Sequence, residues 1–413
     1  MTRAGSAACD SRSQSSKTHP SDYTAIVLAA GEGSRLRPLT RNRPKPMLPA
    51  ATKPILEHVF DQLIDVGISD IVVVVGYRRD RVQSYFGSSY RNASLTYVDQ
   101  GKQLGTGHAV LAAEAAADGT CLVVNGDQIA DSRIVRDVLE AHNSDAAATV
   151  GLLYASSIEG YGGVLVEDGR ITTIVEDPSD GRDYLLNVGI YVLDSAAFDA
   201  VRAAEPRAGE HLLVDGLSEL IERGDVVRGA VSEGTWVDAT YPWDLLDVSV
   251  ELFDTGVVDG DSGANVHEEA TVHDSAEIRD PVVVDRDCVI KPGSVVGPYV
   301  CLGENVTIGS NAVVEHSVVD TDTRIGANAT VVECVTGTGV AIGPGSTVPG
   351  GPSDVRVQDR IFEDEDFGAL LADRVRDRGS VTYDPGTLVG PNVEIQAGAT
   401  VRGIVDEETE VRS

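Results

Sequence analysis

Every sixth residue from Val266 to Val314 is aliphatic: Val266, Val272, Ile278, Val284, Ile290, Val296, Leu302, Ile308 and Val314. The register slips by one and resumes at Val319, Ile325 and Val331, then again at Ile342 and Val348, and a last stretch holds Val389, Ile395 and Val401. Small or turn-forming residues fill the intervals, Gly293, Gly297, Gly303, Gly309 and Gly326 among them. A sustained six-residue apolar repeat means a solenoid of short strands whose coils stack to bury one core. Residues 350–386 interrupt it. Phe367, Leu370, Leu371 and Val375 there fall at helical spacing, which predicts a segment packed against the outside of the solenoid.

The chain before the repeat has a different texture. Ala25–Ala30, Ile71–Val75, Leu122–Asn125 and Ile190–Leu193 are short apolar runs of the kind that form buried strands, and Ile55, Val59, Leu63 and Val66 fall at helical spacing. Strands separated by helices predict an α/β domain with a mostly parallel, Rossmann-like sheet covered on both faces. Ligands of such sheets bind at the carboxyl ends of the strands. The 413 residues therefore divide into a Ser-rich tail at 1–22, expected to be disordered, an α/β domain at 23–252 and a solenoid at 253–413 with an insertion at about 350–386. The tail has no apolar core of a signal peptide, and no run reaches the roughly 18 to 20 apolar residues of a membrane span. The five cysteines show no paired or metal-ligand spacing, which suits a reducing cytoplasm.

A net charge of −32 argues against a nucleic-acid surface, which needs basic groups to neutralise phosphates. The acidic residues are spread along the chain, and the only lysines are Lys17, Lys45, Lys53, Lys102 and Lys291. This acidic, lysine-poor character resembles proteins of salt-accumulating archaea, in which salt screens the self-repulsion.

The first predicted strand runs straight into Gly31–Pro49, GEGSRLRPLTRNRPKPMLP. Glycines after a strand free backbone N–H groups to meet phosphates. Arg35 adds a planar fork for phosphate oxygens, and Lys45 a small positive charge. Asn125-Gly126-Asp127 ends a later strand, where a carboxylate is placed to hold Mg²⁺, although a lone aspartate there also serves as a turn or helix cap.

The G-x-G-S-R-L-x-P-L-T segment followed by K-P-M-L-P resembles the signature of the sugar nucleotidyltransferase superfamily, which includes glucose-1-phosphate thymidylyl- and uridylyltransferases and N-acetylglucosamine-1-phosphate uridylyltransferases. The hexapeptide tail resembles a left-handed parallel β-helix and extends the likeness to archaeal two-domain members. The resemblance implies that Arg35 and Lys45 are catalytic, on the triphosphate and between the α-phosphate and the sugar phosphate. It places the nucleotide on Ala30, Gly31, Gly33, Ser34, Gln100, Gly105 and Thr106, the sugar on Gly162, Glu176 and Asn187, and Mg²⁺ on Asp127 and Asp238. One departure stands out: many relatives have a lysine after the sugar-binding glutamate, and this chain has Asp177.

The expected reaction joins UTP or dTTP and a hexose-1-phosphate (glucose- or N-acetylglucosamine-1-phosphate) to give a nucleotide sugar and pyrophosphate. A homotrimer in the cytoplasm is expected, with no nucleic-acid or membrane partner. Two alternatives stay open: a bifunctional enzyme whose β-helix acetylates glucosamine-1-phosphate with acetyl-CoA, with His316 as candidate base, and a catalytically silent regulatory homologue.

Overall fold

The computed structural model describes residues 19–117, 119–155, 158, 160–207, 209–258 and 265–412. Most of the predicted 1–22 tail lies outside the described residues, and its end, Pro20–Asp22, forms a 3₁₀ turn capped by His19.

The first half is built on a ten-stranded sheet. Thr24–Ala29 lies centrally, parallel to Asp70–Val75 on one side and to Cys121–Asn125 on the other, and Ala93–Asp99 continues the parallel set beyond Asp70–Val75. Leu185–Leu193 runs antiparallel between Cys121–Asn125 and Ala148–Leu153, and the hairpin Gly162–Glu167/Arg170–Glu176 completes that side. The strands read as unbroken apolar runs because both faces are covered. Along the first strand Ala25, Val27 and Ala29 enter one core, and Ile26, Leu28 and Ala30 the other. Helices Ile55–Asp65 and Ser132–Ala141 cover the first face, while Thr106–Ala113, Ser195–Ala203 and Leu213–Arg223 cover the second.

From Asn265 the chain winds into three parallel sheets of eight, eight and seven short strands, a left-handed β-helix. Each strand pairs with the third strand onward, Val284 with Leu302 and Leu302 with Val319, so three hexapeptides make one coil. The one-residue slip before Val319 has a local cause. The corner between Val313–Glu315 and Ser317–Val319 is turned by a single residue, His316, at φ 42°.

The segment around 350–386 differs from expectation. Its excursion is a β-hairpin, Pro352–Val357 with Arg360–Asp366, and the solenoid resumes at Ala369–Leu371. Phe367, Leu370, Leu371 and Val375 therefore form no helix. Leu371 and Val375 enter the solenoid core, whereas Phe367 and Leu370 face the first domain. The repeat is hard to see there because a buried inward position is occupied by Asp377, between Leu371 and Tyr383. Its carboxylate accepts hydrogen bonds from Gly343 N (2.6 Å), Gly379 N (2.9 Å), Ser346 Oγ (2.9 Å) and Tyr383 Oη (3.0 Å), which compensate its loss of water.

The two halves share an apolar seam. Val283, Cys301, Val335, Leu370 and Leu388 occupy the middle positions of five three-residue strands of one sheet and point out of the solenoid, onto Leu245, Val248, Leu252 and Phe253 of helix Asp244–Asp254 and onto the hairpin's Val355 and Val357.

Candidate active site

The loop after the first strand folds back on itself. Gly33, at φ 72°, lies so close to Lys45 that a Cβ there would come within 2.7 Å of the lysine Cβ, and Thr40 Oγ1 donates to Gly33 O at 2.8 Å. Lys45 itself sits in a 3₁₀ turn framed by Pro44 and Pro46, which fixes its direction. Its ammonium lies 3.0 Å from Asp127 Oδ2 and 2.6 Å from Asp238 Oδ1.

Those carboxylates lie far apart in sequence. A two-stranded ribbon brings them together: Gln128–Ala130 pairs antiparallel with Trp236–Asp238, with Asp238 opposite Gln128. Gly126, whose Cβ would lie 2.9 Å from Leu28 O, lets the turn before Asp127 close against the first strand. Thr240 Oγ1 donates to Asp238 Oδ2 at 2.9 Å and fixes its second oxygen. Burial opposes the charge on Lys45, but the two carboxylates outweigh it and hold the ammonium's pKa above the ordinary lysine value.

A pocket of about 420 Å³ opens over this cluster. Gly33, Ser34, Arg35, Lys45, Asp127 and Asp238 line one side, and Gly162, Glu176 and Asn187 the other. Arg35 is exposed and has no hydrogen-bond or ion-pair partner among the described residues, so its guanidinium is available to an anion. Across the pocket, Asn187 donates from Nδ2 to Tyr191 Oη (3.0 Å) and accepts at Oδ1 from Gly189 N (3.2 Å). Desolvation, with the carboxylates of Asp215, Asp177 and Glu210 nearby, pushes the pKa of Glu176 above the usual carboxylate value. Asp177 accepts from Gly160 N at 3.0 Å, and its own N–H donates to Tyr161 O at 3.1 Å. It therefore holds the turn that leads into Gly162, a structural use for the position where many relatives carry lysine.

The remaining nucleotide candidates stand apart from that lining. Gln100 lines a neighbouring hollow of about 460 Å³ with Tyr77, Lys102 and Gln103. Its Nε2 reaches Gly105 O at 3.0 Å and His108 Nδ1 at 3.2 Å. Ala30 is buried behind that hollow, and its carbonyl accepts from two of the hollow's residues, Gln103 Nε2 (2.6 Å) and Tyr77 N (3.3 Å). Gly31 has open space on its Cβ side. Gly105, at φ 97°, and Thr106 meet the segment 211–213. A Cβ on Gly105 would lie 2.7 Å from His211 O, and Thr106 Oγ1 accepts from Leu213 N at 3.0 Å.

Asn125, Gln128, Gly189 and Tyr191 also line the main pocket, and the sequence reading assigned them no role there. Asn125 Nδ2 donates to Gln128 Oε1 at 3.0 Å. A Cβ at Gly189, φ 73°, would come within 2.2 Å of that Nδ2. The signals were present in Asn125-Gly126-Asp127 and Leu186-Asn187-Val188-Gly189, but which of their side chains reach the pocket depends on strand pairing.

The donor set suits magnesium in a limited sense. Among the described residues no group of three or more His, Cys, Asp or Glu side chains is arranged to hold a metal. Two carboxylates are what Mg²⁺ takes when phosphate oxygens and water complete its shell. The paired carboxylates, the arginine and the glycine loop thus lie together near the carboxyl ends of sheet strands, where open α/β sheets take their ligands.

The comparisons place the chain more narrowly. The nucleotidyl transferase family matches residues 24–255, and the chain belongs to that family. Residues 278–405 match the GMPPB C-terminal domain. The chain is 39% identical over 233 residues to the bifunctional protein GlmU of Methanococcus vannielii, covering 54% of each chain. It is 35% identical over 225 residues to the UTP–glucose-1-phosphate uridylyltransferase AglF of Haloferax volcanii, covering 53% of this chain and 92% of that one. The chain spans about half the length of the GlmU relatives it matches. A solved UDP-glucose pyrophosphorylase complexed with UDP-glucose shares the fold, with a TM-score of 0.52 at 21% identity over 56% of this chain and 99% of that one.

Proposed function

We propose that the chain transfers a nucleotidyl group from UTP or dTTP to a hexose-1-phosphate, glucose- or N-acetylglucosamine-1-phosphate, releasing pyrophosphate. The observation that carries this reading is the cluster of Lys45, Asp127 and Asp238 under one pocket, which Arg35, unpaired among the described residues, also lines. The likeness to AglF, a UTP–glucose-1-phosphate uridylyltransferase, and to GlmU supports it.

A phosphate oxygen of the sugar phosphate attacks the α-phosphorus in line, a new P–O bond forms, and the bond to the bridging oxygen of the leaving pyrophosphate breaks. No covalent enzyme intermediate is needed, so positioning and charge neutralisation do the catalysis. Arg35 receives the triphosphate, and Lys45 supports the α-phosphate where charge moves. Glu176 and Asn187 orient the sugar from the opposite wall. Asp127 and Asp238 would hold Mg²⁺, which when bound neutralises phosphate charge. Homotrimer assembly, a cytoplasmic location and adaptation to molar salt belong to the same proposal. No helix among the described residues is long and apolar enough to cross a membrane.

The acetyltransferase alternative finds less support. Its candidate base His316 is the single-residue corner of a coil, with its ring against Tyr299 at 5.3 Å.

The test is pyrophosphate release in molar KCl with Mg²⁺, crossing UTP and dTTP with glucose-, N-acetylglucosamine- and glucosamine-1-phosphate. Turnover on a UTP or dTTP pair is expected. Silence of the folded protein across the panel would favour the regulatory homologue, and turnover of glucosamine-1-phosphate only with acetyl-CoA would revive the bifunctional one.

A further inference from the structure

The β-helix grips the phosphate loop at two places. Arg43, two residues before Lys45, reaches across the domain boundary to Asp320 Oδ2 at 2.6 Å and Asp373 Oδ1 at 3.5 Å. These three side chains are only 14%, 9% and 11% exposed, so water screens the charges weakly. The receiving carboxylates are themselves oriented by the coils. Thr338 N donates to Asp373 Oδ1 at 3.1 Å, and Thr338 Oγ1 to Asp320 Oδ2 at 3.2 Å. Asn42 Nδ2 adds a bond to Asp373 Oδ2 at 3.3 Å.

The second grip comes from the hairpin. Gln358, in its turn, donates from Nε2 to Ser34 Oγ at 3.2 Å, next to Arg35. The hairpin is anchored by Phe362, whose ring lies 4.5 Å from that of Tyr241 and 5.1 Å from that of Trp243. Those rings belong to the segment immediately after Asp238 and Thr240. One excursion of the solenoid thus touches the loop that carries Arg35 and the segment that carries a carboxylate.

We infer that the β-helix is a working part of the transfer site: Asp320 and Asp373 through Arg43, and Gln358 through Ser34, are positioning residues that hold Arg35 and Lys45 in place for the triphosphate. This rests on the proposed nucleotidyl transfer. A displacement of the loop by about 1 Å is enough to reduce such a reaction strongly.

The test uses the full chain carrying Gln358→Ala and Asp373→Asn, singly and together. Gln358 is exposed, and asparagine at 373 retains an oxygen for Thr338 N while Asp320 still pairs with Arg43, so the fold is expected to survive. In the double variant KM for the nucleoside triphosphate is expected to rise roughly tenfold, with KM for the sugar phosphate within about twofold. Hydrogen exchange should quicken across residues 31–49 and stay unchanged in the central strand Leu185–Leu193. Unchanged exchange in 31–49, or equal changes in both KM values, would overturn the inference. If the wild type turns over no substrate pair, the proposed activity fails, while the exchange comparison still decides whether the loop is held from the β-helix.

Discussion

Replacing Lys45 by methionine tests the centre of the site, because the lysine occupies the space between two carboxylates. Methionine keeps the apolar stem and removes the ammonium that lies 3.0 Å from Asp127 and 2.6 Å from Asp238. Breaking a buried ion pair by removing one partner costs about 3–5 kcal/mol. The Asp238 side chain is 5% exposed, but that of Asp127 is 36% exposed and partly relieved by water and salt, so the low end of about 3 kcal/mol applies. At about 2–4 °C per kcal/mol for a domain of this size, the melting temperature without metal should fall by roughly 6–12 °C. Magnesium should restore much of that loss, since it neutralises the same two carboxylates and binds the folded state preferentially. Turnover should not return with it. Loss of a preorganised charge at the reacting phosphate costs on the order of 10²–10³ in kcat. The assays are thermal melts with and without MgCl₂ and pyrophosphate release at saturating substrates. A variant with near wild-type kcat would refute the role of Lys45, and a melting temperature indifferent to magnesium would refute the carboxylate pair as its site.

Asp127→Asn keeps the shape but removes a charge from that pair; turnover should drop at least about 100-fold, and full-rate pyrophosphate release would remove Asp127 from the metal site. Gly189→Ala introduces a Cβ 2.2 Å from Asn125 Nδ2 at φ 73°, so a loss of about 1–3 kcal/mol in denaturant unfolding and a higher KM for the sugar phosphate are expected; the absence of both would count against the pocket geometry. Burial, reinforced by Lys53, lowers the His58 pKa to about 4 in the folded protein, against about 6.5 when unfolded. The stability this contributes is complete above pH 6.5 and lost as pH falls through 4, because the unfolded chain takes up the proton first. Relative to His58→Gln, the wild type should lose about 3 kcal/mol between pH 7 and pH 4, and parallel pH profiles of the two would exclude His58 as the cause.

The strands and helix legible in the sequence were those whose burial is expressed locally. Ala25–Ala30 appears as Thr24–Ala29, Leu122–Asn125 as Cys121–Asn125, and the helix predicted over Ile55–Val66 as Ile55–Asp65. An apolar run covered on both faces, or a stripe at helical spacing, carries its environment in its own composition. Asp377 shows where this fails. It occupies an inward position of the solenoid and is satisfied by Gly343, Gly379, Ser346 and Tyr383, partners that a linear repeat does not reveal. The outward residues Val283, Cys301, Val335, Leu370 and Leu388 were equally hidden, because the hexapeptide pattern reports only what faces the solenoid core.

The sequence by itself determined the solenoid, the α/β domain before it and the chemical inventory of the loop from Gly31 to Pro49, because periodicity and local composition reflect burial and short-range backbone geometry. Only the tertiary structure decided that Asp127 and Asp238 meet at one ammonium, that Thr106 accepts a hydrogen bond from Leu213, and that Arg43 and Ser34 are held from the β-helix. Those contacts join residues separated by up to 330 positions, as between Arg43 and Asp373. They exist because strand pairing and domain packing close the distance, and neither leaves a trace in the spacing of the residues it unites.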